Sequence, residues 1–203
     1  KRKMFLPLPP LFIHEVRQLH RHWQDIRRRA DSVDSVAALN LIRAACPHGR
    51  VTLVGHSLGA KVVLNLLNTA NHRNYRFGDV ALLAAAHSRR DPELIRLAES
   101  LWGRMVNVYH PNDWVLKVLY KVGEFTRFSP CGLKPVTFEH PRIVNLSGEP
   151  WLRATFRSHV LFPEVLPQTV GRELWGYTGP AEQPVDDTPD RLYALPAPEL
   201  IEE

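Results

Sequence analysis

Val51-Thr52-Leu53-Val54-Gly55-His56-Ser57-Leu58-Gly59-Ala60-Lys61-Val62-Val63 decides how the chain is read. Its first part is an apolar, β-branched run of strand length, which predicts a strand buried on both faces. It then passes through Gly55-x-Ser57-x-Gly59 and continues with Val62, Val63, Leu66 and Leu67 at helical spacing. So sharp a strand-to-helix turn strains the backbone at its centre. Side chains two positions to either side are expected to collide with neighbouring chain, which accounts for glycine at 55 and 59. The turn lifts the Ser57 hydroxyl clear of the sheet. The helix start behind it offers unpaired N–H groups, that of Leu58 first, to a developing oxyanion. The pentapeptide alone recurs by chance in many proteins. A strand before it and a helix after it make it a nucleophile elbow.

The 203 residues, 44% of them hydrophobic, suffice for one sizeable α/β core. We expect a single domain over residues 1–176, its core at about 50–163, and a proline-rich acidic tail over 177–203. No apolar run approaches the ~20 residues of a membrane span. Lys1-Arg2-Lys3 opens like a basic signal region, but Pro7, Pro9 and Pro10 break the apolar segment that should follow. No cleaved secretory signal is expected here. Cys46 and Cys131 are too few for a disulfide framework and lack metal-ligand spacing, which favours a reducing, cytoplasmic setting. The net charge of +5 is concentrated in the first third, most densely at Arg27-Arg28-Arg29. That run reads first as a solvated helix face, and second as a patch for peripheral contact with anionic lipid. No zinc knuckle or aromatic stacking pattern points to nucleic acid.

Apolar residues at 12, 13, 16, 19, 23 and 26 predict an amphipathic helix from Phe12 to about Arg29. Its histidines, His14, His20 and His22, make no clean metal pair. Ser32 or Asp34 can cap a second helix running to about Ala45. After the elbow helix, strands are predicted over Asp79–Ala86, Met105–Tyr109 and Arg142–Leu146. Pro92 suits the first turn of a helix running to Leu101, and Trp114 to about Tyr120 turns helical. Strands alternating with helices give an α/β fold: a mostly parallel sheet covered by helices on both faces.

In such sheets chemistry gathers at the carboxyl ends of the strands. A serine hydroxyl needs a base, and the base needs an acid to hold its tautomer. With a nucleophile elbow the chain order is nucleophile, acid, histidine. Asp79 lies at the amino end of its strand, on the wrong side. Asp91 follows the second strand but comes late, and is held in reserve. Asp113 lies just past Met105–Tyr109, where it can serve as acid and also cap the following helix. His140 precedes the fourth strand, whereas His159 follows it and can bend back over Ser57. His110 is a pocket-lining candidate, and His56 a packing residue.

The elbow resembles that of α/β-hydrolases, especially their lipase, thioesterase and acyl-esterase branches. A narrower resemblance rests on Gly103-Arg104-Met105-Val106-Asn107-Val108-Tyr109, on Asn112-Asp113-Trp114-Val115-Leu116 with Leu119-Tyr120, on Gly132-Leu133-Lys134-Pro135-Val136, and on Ser158-His159. Over roughly residues 50–163 these are similar to a hydrolase-like family that includes transmembrane-and-coiled-coil-domain proteins and their bacterial relatives. The resemblance implies a triad of Ser57, Asp113 and His159, in agreement with position along the strands. It implies no settled substrate. One departure is the missing His-Gly loop that usually brings a second oxyanion donor. His48-Gly49 is at the wrong end of its strand, and Phe12-Ile13-His14-Glu15 lacks the glycine. The N-terminal strands of that fold likewise find no clear counterpart.

The expectation is a serine hydrolase acting on a carboxylic ester or thioester, acyl or lipid-like, through an acyl-enzyme. No metal or organic cofactor is required. Trp114, Trp102, Leu116 and Phe125 are candidates for apolar pocket or lid surface. The alternative is a hydrolase-like scaffold, weak or inactive, that binds a protein partner or a lipid surface. Amide cleavage would call on the same three residues.

Overall fold

Four parallel strands, hydrogen-bonded in the order in which they occur in the chain, carry the fold: β1 (Leu53–His56), β2 (Val80–Leu83), β3 (Met105–Tyr109) and β4 (Ile143–Ser147). This is a computed structural model, and it describes residues 21, 24–47, 49–118, 129–153 and 158–175. Helices α1 (Ser35–Ala45), α2 (Gly59–His72), α3 (Glu93–Glu99) and α4 (Ser158–Leu161) accompany the strands. The chain continues through Phe162–Val165 and Pro167–Gly171 into α5 (Arg172–Trp175).

The alternation of side chains along the strands divides the core. Val80, Leu82, Met105 and Ile143 pack with Leu39 of α1, Val63 and Leu67 of α2, and Leu94 and Leu97 of α3. Ala81, Leu83, Val106 and Val108 face the other way, against Leu116, Leu161, Phe162, Val165 and Val170. Helical segments thus cover both faces, as expected of an α/β fold. All four residues of β2 are buried. Each large side chain so enclosed is worth ~1.5–3 kcal/mol relative to exposure.

Local signals set the element ends. Asp34, not Ser32, caps α1, its Oδ1 accepting the N–H groups of Val36 and Ala37 at 3.0 Å each. The second strand ends at Leu83, three residues short of the expected Ala86. Ala84 turns to φ 44°, a left-handed conformation that no continuing strand permits. β1 is not buried on both faces. It forms one edge of the sheet among the described residues, and Val54 stays 44% exposed. Residues 24–31 are helical. Apart from Arg21, which is also helical, the rest of the expected first helix, with His14, His20 and His22, lies outside the described residues, as do Phe125 and the tail.

One polar device fixes the loop before β4. Asn107 on β3 is fully buried, and its Nδ2 donates to the Cys131 carbonyl and to Asn145 Oδ1, both at 3.0 Å. Asn145 Oδ1 also accepts the Val136 N–H at 2.8 Å. Gly132 then lies against the turn after β2, where a Cβ would come within 2.3 Å of the Ala84 carbonyl carbon. No larger residue fits there.

Candidate active site

β1 delivers the chain into the elbow with almost no clearance. A Cβ on Gly55 would lie 2.7 Å from Ala60 Cα and 2.9 Å from its nitrogen, so only glycine lets strand and helix approach so closely. Gly59 differs from expectation. A Cβ there meets nothing within 4 Å, so steric collision does not explain that glycine. Ser57, between them, holds φ 54°, the strained left-handed backbone anticipated for the centre of the turn. Two bonds to the end of β2 and the turn after it fix it: its N–H donates to the Leu83 carbonyl at 2.9 Å, and its carbonyl accepts the Ala86 N–H at 3.1 Å. Leu58 follows as the N-cap of α2, and its N–H has no backbone acceptor among the described residues.

Asp113 and His159, 46 positions apart in the sequence, meet here. His159 Nδ1 lies 2.7 Å from Asp113 Oδ2. Asp113 is fully buried, and His159 is 7% exposed. The other carboxylate oxygen, Oδ1, accepts the Leu116 N–H at 3.0 Å and so caps the helical turn over residues 114–118. One carboxylate therefore fixes both its own helix and the imidazole. A carboxylate only accepts, so Nδ1 carries the proton, and in the neutral ring Nε2 of His159 is the acceptor.

His56 ties this pair to the elbow. Its Nε2–H donates to the His159 carbonyl at 2.8 Å. The two imidazole rings lie 4.9 Å apart at 41°, and Phe162 stands 6.3 Å from the His56 ring. Burial, and after it the charge of His159, hold the His56 pKa below its ordinary 6.5, against the opposing influence of the carbonyl bond and of Asp113. Ser57 is the next residue in the chain. No hydrogen bond joins its hydroxyl to His159 among the described residues.

The remaining candidates fall elsewhere. Asp79 Oδ1 accepts the Arg104 N–H at 2.8 Å, at the amino end of the sheet. Asp91, the reserve acid, pairs with His87 at 2.9 Å and caps α3 through the Glu93 N–H. His110 is buried, its Nε2 on the Leu152 carbonyl and its Nδ1 on the Asn112 N–H. Both ring nitrogens are engaged by backbone, so it holds a turn rather than lining a pocket. His140 lies before β4 beside Glu99. Of the apolar pocket candidates, Leu116 is core. Trp102 sits at the amino end, its N–H on the Phe77 carbonyl and its ring under Arg76. Trp114, beside Asp113, is 49% exposed. A groove of about 700 Å³ lined by Arg89, Ile143, Asn145 and residues 135–141 shares no residue with the Ser57, Asp113 and His159 cluster. Among the described residues no group of three or more His, Cys, Asp or Glu side chains is placed to hold a metal.

An uncharacterized membrane protein of Caenorhabditis elegans is 32% identical over 116 residues, covering 55% of this chain and 18% of that protein. One from Schizosaccharomyces pombe is 28% identical over 123 residues, 60% of this chain and 21% of its own. A transmembrane and coiled-coil domain-containing protein of Oryza sativa subsp. japonica is 30% identical over 108 residues, 52% and 16% respectively. The chain thus spans about a fifth of the length of the curated relatives it matches. No helix among the described residues is long and apolar enough to cross a membrane. No solved structure matches the chain. Residues 7–169 match the family described as "Protein of unknown function (DUF726)", and the chain belongs to that family.

Proposed function

We propose that the chain is a serine hydrolase of α/β-hydrolase type that cleaves a carboxylic ester or thioester of an acyl or lipid-like substrate. The observation that carries this reading is the buried 2.7 Å bond between Asp113 and His159, held by His56 next to a serine in strained elbow geometry. His159 Nε2 takes the Ser57 hydroxyl proton as Oγ attacks the carbonyl carbon. Asp113 steadies the imidazolium that forms, and the Leu58 N–H donates to the tetrahedral oxyanion. His159 returns the proton to the departing alcohol or thiol, leaving an acyl-serine. Water, deprotonated by the same imidazole, then releases the acid.

An apolar substrate is supported by exposed hydrophobic side chains beside the acid and base. Trp114 follows Asp113, and Val160, 55% exposed, follows His159. Relatives named as membrane proteins are consistent with acyl chemistry near a lipid surface. The absence, among the described residues, of a hydrogen bond from the Ser57 hydroxyl to His159 favours a second reading, a scaffold without turnover. Catalytic hydrogen bonds are, however, often long until substrate binds.

A fluorophosphonate probe separates the two readings. Wild type is expected to label and Ser57→Ala to remain blank. Equal labelling of both would falsify the hydrolase reading. A series of activated esters of increasing acyl length then reports how much apolar chain the site accepts.

A further inference from the structure

His56, the elbow residue before the nucleophile, is a positioning residue for the base: we propose that its Nε2–H bond to the His159 carbonyl holds His159 over Ser57. This inference rests on the hydrolase reading and adds a residue to it. His159 lies on α4, which runs directly into the helical segment Phe162–Val165. Its side chain is tethered through Nδ1 to Asp113, but that bond alone leaves the ring free to pivot about the carboxylate. A second fixed point on the His159 backbone removes that freedom. His56 supplies it from β1, the strand that also delivers Ser57. Nucleophile and base are thereby referenced to adjacent residues of one strand end.

The chemistry of the contact favours the neutral ring. The bond needs only the Nε2 proton, which neutral His56 carries in the required tautomer. A charged His56 would stand 4.9 Å from an imidazole that must itself become cationic during the reaction. The environment of His56 disfavours its charged form, as its lowered pKa records. His56 can therefore brace the base without opposing its protonation.

Two variants isolate the bond from the ring. His56→Phe keeps an aromatic ring and loses the donor, whereas His56→Gln keeps an amide N–H at similar reach and loses the ring. Fluorophosphonate labelling of Ser57 is expected to slow about 10- to 100-fold in His56→Phe, the scale of a misplaced catalytic group, and to return to within about threefold of wild type in His56→Gln. In ester hydrolysis kcat should fall with KM little changed. The downfield proton resonance of His159 Nδ1–H should broaden or vanish in His56→Phe and persist in His56→Gln, with thermal unfolding checked in both. Wild-type labelling and an intact resonance in folded His56→Phe would overturn the proposal. So would a His56→Gln variant as slow as His56→Phe. If Ser57→Ala labels like wild type, the hydrolase reading fails, and the proton resonance, which needs no turnover, alone decides whether His56 holds His159.

Discussion

Asp113 and His159 meet inside the protein, Oδ2 to Nδ1, with side chains 0% and 8% exposed. Shielded from solvent, the carboxylate accepts from Nδ1 and so fixes one tautomer of the imidazole. Asp113→Asn retains an oxygen for the Leu116 N–H but turns an amide N–H toward Nδ1, so the wrong tautomer results. Ester turnover is expected to fall by roughly 10⁴ with the fold kept. Asp113→Ala adds loss of the helix cap, about 0.5–2 kcal/mol in urea unfolding. Turnover unchanged in Asp113→Asn would remove the carboxylate from the chemistry.

The two elbow glycines should respond in opposite senses to alanine. Gly55→Ala drives a methyl into the Ala60 backbone and should cost about 1–3 kcal/mol or more. Gly59→Ala finds open space in the first turn of α2 and should gain about 0.4–1 kcal/mol by restricting the unfolded chain. Denaturant midpoints of the two variants, measured side by side, test the difference.

Ser57 carries a conformation that suits glycine better than any residue with a side chain. Both Ser57→Gly and Ser57→Ala remove the proposed nucleophile, yet only the first relieves the strain. Ser57→Gly should be the more stable of the two by about 1 kcal/mol in thermal unfolding. Equal stability would mean that the elbow stores no such strain.

His56 gives stability a defined slope with pH. Its pKa in the folded protein is below 6.5, so below that pH the unfolded chain binds the extra proton first. Its contribution is complete above pH 6.5 and is lost as pH falls through the folded-state pKa. His56→Gln should flatten the decline in unfolding midpoint over that window. An identical decline in the variant would assign it to other groups.

The two thiols should react unequally. Burial pushes the Cys131 pKa up to about 12, whereas Cys46 is exposed. A thiol-specific reagent should titrate Cys46 alone in the native protein and both after denaturation. Rapid native reaction of Cys131 would show that its loop opens.

Much of this arrangement could be read from residue pattern. The elbow announces itself because strand, glycine and helix periodicity agree, and Asp113 and His159 follow from which end of a strand each residue leaves. The end of β2 was not legible, because Ala84, Ala85 and Ala86 look like continuing strand until the left-handed turn at Ala84 is seen. Nor was the exposure of Val54, since a β-branched run reads the same at the centre and at the edge of a sheet. His56 was missed as a bracing group because its partner is a backbone carbonyl, 103 positions away, which no side-chain pattern encodes.

Ser57 is stapled to the Leu83 carbonyl and the Ala86 N–H, so on the proposed hydrolase reading the attacking oxygen inherits its location from a neighbouring bend that contributes nothing to the triad. That bend is wedged in turn by Gly132. Drift at these small residues would retune the alignment of attack while the triad itself stayed unaltered. The same bend is therefore where variation among related chains can change rate without changing chemistry.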